Sequence, residues 1–368
     1  MSGEVIRQAS PSQTAISESK LNKKALCDYV VNVADGCTHG CSFCYVPSMP
    51  SIWGDPGDKF AAAGIDDPSD EWGDYSLYRD DVVENTARDC QRLLPDNWRT
   101  TRRGRGLVGI SFATDCYMDP RAGELTKGVV NTLVGHGRTA RILTRNPKLL
   151  ADLHGEFYRS LELGSVTIGT SIPSLNQAEV SAIEGRAPPI KHRLQGLHTH
   201  GPLRNVLRYV SMSPTYPTQD YSDLKGLLSE IQLCINPEVV FHEPINPRSG
   251  NFERCVESAK EAGEDELARK LDRLRDTETW RLYALQQLRD VQVAAKQVGQ
   301  RVHLWPDEDL VKNAPTAEQR EWCKAWRQRR SPEYLRDGPG CEDPYPPVPE
   351  IAPHSQGDLA AFGPGGDA

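Results

Sequence analysis

Three cysteines within eight residues are the part of this sequence best suited to chemistry. Cys37, Cys41 and Cys44 stand in the run ADGCTHGCSFCYVPSMP, with the spacing Cys-x3-Cys-x2-Cys. Thiolates are the usual ligands of iron–sulfur clusters, and four complete a cubane. Three from one tight loop would leave one iron open to a substrate or cofactor. Gly36 and Gly40 let the backbone turn closely around such a group. Zinc is the competing reading, with Cys37, His39, Cys41 and Cys44 as four ligands. However, Cys-x-His and His-x-Cys spacings are tight for one tetrahedral ion, and no second ligand pair follows along the chain.

Such a loop needs elements to hold it. Short apolar runs that read as strands lie at Tyr29–Val33, Leu107–Ala113, Thr139–Thr144, Ser165–Ile172, Asn205–Met212 and Glu238–Glu243. Between them, helical patterns cover roughly 81–94, 124–135, 147–163, 175–183, 190–200 and 219–233. Strand–helix alternation predicts parallel strands joined by right-handed crossovers. Six such units fit an incomplete barrel or an open sheet. The cysteine loop directly follows the first strand, and α/β folds place their chemistry in loops at the carboxyl ends of parallel strands. Residues 252–299 read as one long or two medium charged helices, and Val302–Trp305 as a final strand.

The remaining composition excludes several classes. The chain has 368 residues, 38% hydrophobic and 26% charged, with a net charge of -8. A broadly basic, nucleic-acid-coating surface is not indicated, although a local basic groove is compatible with these values. No apolar run approaches the roughly 20 residues of a membrane span. The amino terminus, MSGEVIRQAS, has no signal-peptide core, so a cytoplasmic protein without membrane association is expected. Ten scattered or clustered cysteines in a long, signal-less chain argue against a disulfide scaffold. The seven outside the loop read as small buried hydrophobes. Residues 1–24 read as a flexible arm and 331–368 as a Pro/Gly-rich tail, disordered or wrapped as a strap.

The cysteine loop and its position resemble the radical S-adenosylmethionine (SAM) superfamily, in particular its spore photoproduct lyase-like branch. Over about residues 27–250 the segments GCTHGCSFCY, ISFATDCYMDP, ARILTRNP, TIGTSIPS and IEGRAPPIKHRLQGL carry the likeness in order. The resemblance implies an α/β fold, a partial (β/α)6 radical SAM barrel over 25–250 with an insertion at 49–105. A helical C-terminal extension follows at 251–330. It implies a [4Fe–4S] cluster on Cys37, Cys41 and Cys44, with SAM chelating the open iron. It further implies reductive cleavage to a 5′-deoxyadenosyl radical that abstracts hydrogen, and an electron donor such as flavodoxin or ferredoxin. By matched position, Tyr45 would approach the adenine or cluster side. Thr114 and Asp115 would bond the ribose or methionine end, Arg145 the SAM carboxylate, and Ser171 the cofactor from the fourth strand. Each also has a plain reading: a cap at Thr114–Asp115, a surface charge at Arg145, a satisfied strand hydroxyl at Ser171.

The chain departs from that branch at Ala113, where spore photoproduct lyase carries a hydrogen-donating cysteine. Cys116 is the candidate substitute, with Tyr117 and Tyr216 as further donors. FHEPINPRSGN places Glu243, Asn246, Arg248 and Asn251 at the end of the sixth strand, where polar groups could face SAM or substrate. The expected substrate is a nucleobase or nucleic acid, given Arg99, Arg102, Arg103 and Arg105 in one loop. The alternatives are a small metabolite or peptide, or a non-enzymatic zinc-binding module.

Overall fold

The computed structural model describes residues 5–9, 14–49, 52, 59–92, 106–247, 250–329 and 345–351. Arg99, Arg102, Arg103, Arg105, Arg248 and Cys341 lie outside these residues, as does most of the expected tail.

Two sheets organise the chain. The larger is built from β2 (Ser17–Glu18), β3 (Tyr29–Val31), β6 (Val108–Ile110), β7 (Ala140–Leu143), β8 (Val166–Ser171), β9 (Leu207–Thr215), β10 (Val239–Pro244) and β11 (Val302–Leu304). Its order is β11-β10-β9-β8-β7-β6-β3-β2. Every neighbour pair is parallel except β2 with β3. All six expected strands are therefore present, and β11 adds a seventh parallel one. The sheet is open: among the described residues β2 and β11 do not pair with each other.

Helices cover this sheet where turn chemistry starts them. Asp119 caps Pro120–Gly135 by accepting from Ala122 N, and Asn146 caps Pro147–Ser160 in the same way; each has proline at the first helical position. Asp220 and Asp223 form a capping box at Tyr221–Cys234. The apolar faces meet the sheet in one core that includes Val31, Ile110, Ile142, Ile168, Val210 and Val240. Full burial of such a side chain contributes roughly 1.5–3 kcal/mol.

The expected first strand, Tyr29–Val33, is in fact shorter. The chain leaves the large sheet after Val31 and enters a second one as β4 (Ala34–Gly36), immediately before Cys37. This small sheet has the order β1-β5-β4, with β1 at Ile6–Ala9 and β5 at Tyr75–Tyr78. The strand that leads into the cysteine loop thus pairs with β5 from the 49–105 insertion, whose other edge takes β1 from the expected arm. The insertion packs its own core, in which Phe60, Ile65, Tyr75 and Leu77 bury themselves beside Val46.

The charged region beyond residue 250 forms three helices, Asn251–Glu261, Asp265–Arg273 and Thr277–Val298, rather than one or two. Gly263, at φ +78, makes the first break, and Asp276 caps the third helix through Thr279 N. Residues 345–351 return as a strap. Tyr345 Oη accepts from Val302 N at 2.8 Å, and Pro346 O accepts from Gln292 Nε2 at 2.7 Å.

Candidate active site

Glycine and backbone contacts shape the cysteine loop. Gly36 has φ +92, and a Cβ there would lie 2.5 Å from the Tyr75 ring. Only glycine lets β4 pass so close to β5 in this left-handed conformation. The loop is then hooked to the segment that ends helix Gln177–Glu184. Ser42 N donates to Ile183 O at 2.9 Å, and Arg186 N donates to His39 O at 2.8 Å. The Cys41 thiol donates to Glu184 O at 3.6 Å. Gly185, at φ +56, presses so closely that an added Cβ would stand 2.6 Å from His39 O. From the other side, Arg254 donates to Ser42 O at 3.1 Å and to Cys44 O at 2.7 Å.

Cys37, Cys41 and Cys44 all line one cavity of about 250 Å³. Burial pushes the Cys37 thiol up to about 12, with the Asp115 charge adding to it. Burial likewise holds Cys41 well above, and Cys44 above, the ordinary thiol value. At Cys41, Arg145 opposes that rise; at Cys44, the Val46 backbone, Arg145 and Arg254 do. The free thiols are therefore neutral at pH 7, so loading a metal centre must release their protons. Among the described residues no three His, Cys, Asp or Glu side chains converge as a single metal ion would need.

The cavity also collects residues from the ends of successive strands: Tyr45, Thr114, Asp115, Arg145, Ser171 and Glu243 line it. Asp115 is the hub. Its Oδ1 accepts from Thr144 Oγ1 at 2.6 Å and from Tyr117 N at 2.8 Å, and its Oδ2 accepts from Arg145 N at 2.7 Å. His39 Nε2 lies 3.3 Å from the same Oδ2 without hydrogen-bond alignment. Burial alone would raise this carboxyl. His39 and the hydrogen bonds from Thr144 and the Arg145 backbone outweigh it and hold the group well below the usual carboxylate range. Thr114 Oγ1 donates to Gly36 O, which ties the second strand's loop to the first.

Arg145 lines the cavity with its Nε 3.3 Å from Glu184 Oε2 and its guanidinium 5.1 Å from the Phe43 ring centre. Glu184 is fully buried and pairs with Arg193 as well. Arg193, 0% exposed, donates onward to Ser171 O at 2.9 Å and Pro188 O at 2.8 Å. The IEGRAPPIKHR segment is thus both the cradle of the cysteine loop and the support of Arg145. The sequence marked that segment without showing this role, and it did not mark Arg254 at all. Tyr45 sits at the rim, 44% exposed, and donates to Phe112 O at 3.3 Å.

Cys116 behaves differently from the expectation of a hydrogen donor. It is buried behind the cavity wall, is not among the lining residues, and points its thiol at Leu143 O, 3.6 Å away. Tyr117 and Tyr216 do not line the cavity either. The Tyr117 hydroxyl lies 2.8 Å from His154 Nδ1 and 2.9 Å from the Tyr158 hydroxyl. Opposite the cysteines, Lys24 pairs with Glu243, and Asn246 Nδ2 donates to Glu243 Oε1 at 3.0 Å.

No family model matches the chain. A viral relative, the uncharacterized protein ORF301 of Acidianus two-tailed virus, is 27% identical over 250 residues, which cover 65% of this chain and 74% of that protein. Among solved structures, spore photoproduct lyase complexed with dinucleoside spore photoproduct superposes with a TM-score of 0.52 at 11% identity, over 81% of each chain. A mutant of that enzyme with bound AdoMet and the same dinucleoside gives 0.50 at 10% identity, over 81% of this chain and 80% of the other. At these identities the likeness shows a shared fold. Among the described residues no helix is long and apolar enough to cross a membrane.

Proposed function

We propose that this protein is a radical SAM enzyme whose cluster is held by Cys37, Cys41 and Cys44. One observation carries the reading. The three thiols and Arg145 open on a single cavity at the carboxyl ends of parallel strands, in a fold shared with spore photoproduct lyase. The donor set fits a cubane better than zinc. A cubane takes each thiolate on a different iron, whereas a tetrahedral zinc needs its ligands around one point, and no three described side chains converge that way. We also read the open sheet as a partial barrel. A flat sheet would separate β3 from β10 by about 24 Å at the usual strand spacing. Here Lys24, five residues before β3, bonds Glu243 on β10.

When bound, the cluster and SAM would supply reductive cleavage of the sulfonium bond and a 5′-deoxyadenosyl radical for hydrogen abstraction. An electron donor such as flavodoxin or ferredoxin would feed the cluster. The protein's part is positioning. Arg145, oriented by Glu184, is the group to pair with the methionine carboxylate, because a guanidinium binds carboxylates bidentately. Ser171 offers a hydroxyl at the cavity wall. Asp115 already accepts three hydrogen bonds from protein donors, so we assign it the part of a strut joining the cysteine loop to the ends of β6 and β7 rather than that of a direct SAM ligand. Aromatic and aliphatic lining from Phe43, Phe112 and Leu143 excludes water from the reacting centre.

For substrate, we favour a nucleobase or nucleic acid, supported by the dinucleoside in the structurally similar enzyme. Ala113 lines the cavity where that branch carries its donor cysteine, and Cys116 faces away. Hydrogen return by a thiol at that position is therefore not part of this reaction. A small metabolite or peptide is the second reading, favoured by the net charge of -8.

The test is anaerobic reconstitution with iron and sulfide, reduction by dithionite with SAM, and assay for 5′-deoxyadenosine. The expected outcome is cleavage that falls at least about a hundredfold in Cys37→Ala, Cys41→Ala or Cys44→Ala. A colourless, zinc-loaded protein that leaves SAM intact would make the chain a binding module instead.

A further inference from the structure

We propose that Arg254 is a positioning residue for the cluster: it locks the Ser42–Cys44 arm of the loop, and its charge raises the potential at which the cluster accepts an electron. The inference rests on the radical SAM reading above. Arg254 belongs to the first turn of helix Asn251–Glu261, outside the segments that resemble the superfamily. It is half-buried, and its guanidinium spans two alternate carbonyls, with Nε on Ser42 O at 3.1 Å and Nη2 on Cys44 O at 2.7 Å. A planar fork suits that spacing, and a lysine there keeps the charge and one of the two carbonyl bonds. Next to it, Cys255 Sγ lies 3.4 Å from Ser42 Oγ, so the helix touches the loop through two consecutive residues.

The electrostatics separate Arg254 from the other cation at the loop. On the Arg145 side two guanidiniums, Arg145 and Arg193, are balanced by two carboxylates, Glu184 and Asp115. Arg254 makes no ion pair among the described residues, and its neighbour Glu253 pairs with Arg275 at 3.3 Å. The loop therefore feels a net positive charge from the Arg254 side. A cluster gains negative charge on reduction, so a nearby uncompensated cation stabilises the reduced form. Net charge and hydrogen bonding are the levers by which proteins set cluster potentials.

The experiment compares full-length wild type, Arg254→Gln and Arg254→Lys, reconstituted anaerobically. Iron and sulfide are counted, and the cluster is titrated by optical and EPR spectroscopy without SAM. Arg254→Gln is expected to shift the reduction equilibrium about tenfold toward the oxidised form, a midpoint lower by about 59 mV for one electron. Arg254→Lys is expected to keep the wild-type midpoint. Equal midpoints in wild type and Arg254→Gln defeat the inference and leave the radical SAM reading intact. If Arg254→Gln holds no cluster, restored loading in Arg254→Lys sustains the inference. Loss of loading in both folded variants overturns it, because charge is then not what the loop requires. A wild type that takes up no cluster defeats the underlying reading as well.

Discussion

The two walls of the cavity are built by different means. The cysteine wall is held mainly by backbone groups and close glycine contacts: Ser42 on Ile183, Arg186 on His39, Gly185 against His39 O. A single buried carboxylate, Glu184, ties in Arg145 and Arg193 behind it. The opposite wall, at the end of β10, is held by side chains: Lys24 with Glu243, Asn246 with Glu243, and His242 beneath. Backbone and glycine contacts cannot be re-aimed by a rotamer change. Side-chain pairs that are about a fifth exposed can be. The contrast sets a rigid wall against an adaptable one, as the proposed cluster and its organic ligands would require.

Breaking the cysteine wall should cost most. Glu184→Ala leaves Arg193, which is 0% exposed, without its carboxylate, and removes the support of Arg145. Losing one partner of a buried pair costs about 3–5 kcal/mol. Urea unfolding of the metal-free protein is expected to show a loss in that range. A loss below about 1 kcal/mol would mean that the backbone hooks hold this wall without the ion network.

The opposite wall should show itself through pH. His242 is buried, with Nε2 3.1 Å from Thr215 Oγ1, and burial pushes its imidazole down to about 3 from 6.5. The folded protein therefore keeps it neutral while the unfolded chain protonates it below 6.5. Its contribution is complete above pH 6.5 and is lost as pH falls toward 3, with a slope up to about 1.4 kcal/mol per pH unit. Urea midpoints measured at pH 7 and pH 5 should differ less in His242→Gln than in wild type. Equal differences would place the acid sensitivity elsewhere.

The smallest effect is expected at Lys24→Met. Its pair with Glu243 is partly solvated, so at most about 1 kcal/mol of stability should go. Thermal melts would register this as a shift of a few degrees or less. A larger loss would show that this wall, too, is a structural closure of the open sheet.

Much of this architecture could be read from local sequence. Short apolar runs located all six central strands, and the helix expected at 147–163 does start at Pro147, whereas the one expected from 124 starts at Pro120, behind its Asp119 cap. What escaped was less local. The first strand divides at Val31 because its second half finds partners in the small sheet, and Tyr75, which fixes that choice, lies far along the chain. Cys116, three residues after Ala113, read as a substitute hydrogen donor, but the loop after β6 turns its thiol inward. Residues 6–9 carried no periodicity beyond four positions, yet they pair with β5 as a strand.

The sequence by itself determined the cysteine spacing, the glycines that permit the loop, and the succession of strands, because each depends on residues within a few positions of one another. Only the tertiary structure decided what grips that loop. Cys41 meets Glu184 across 143 positions, and Arg254 meets Cys44 across 210. Neither contact leaves a periodic or compositional trace. The physical reason is that backbone carbonyls accept such hydrogen bonds whatever their side chains, so the partner residues need carry no local signature.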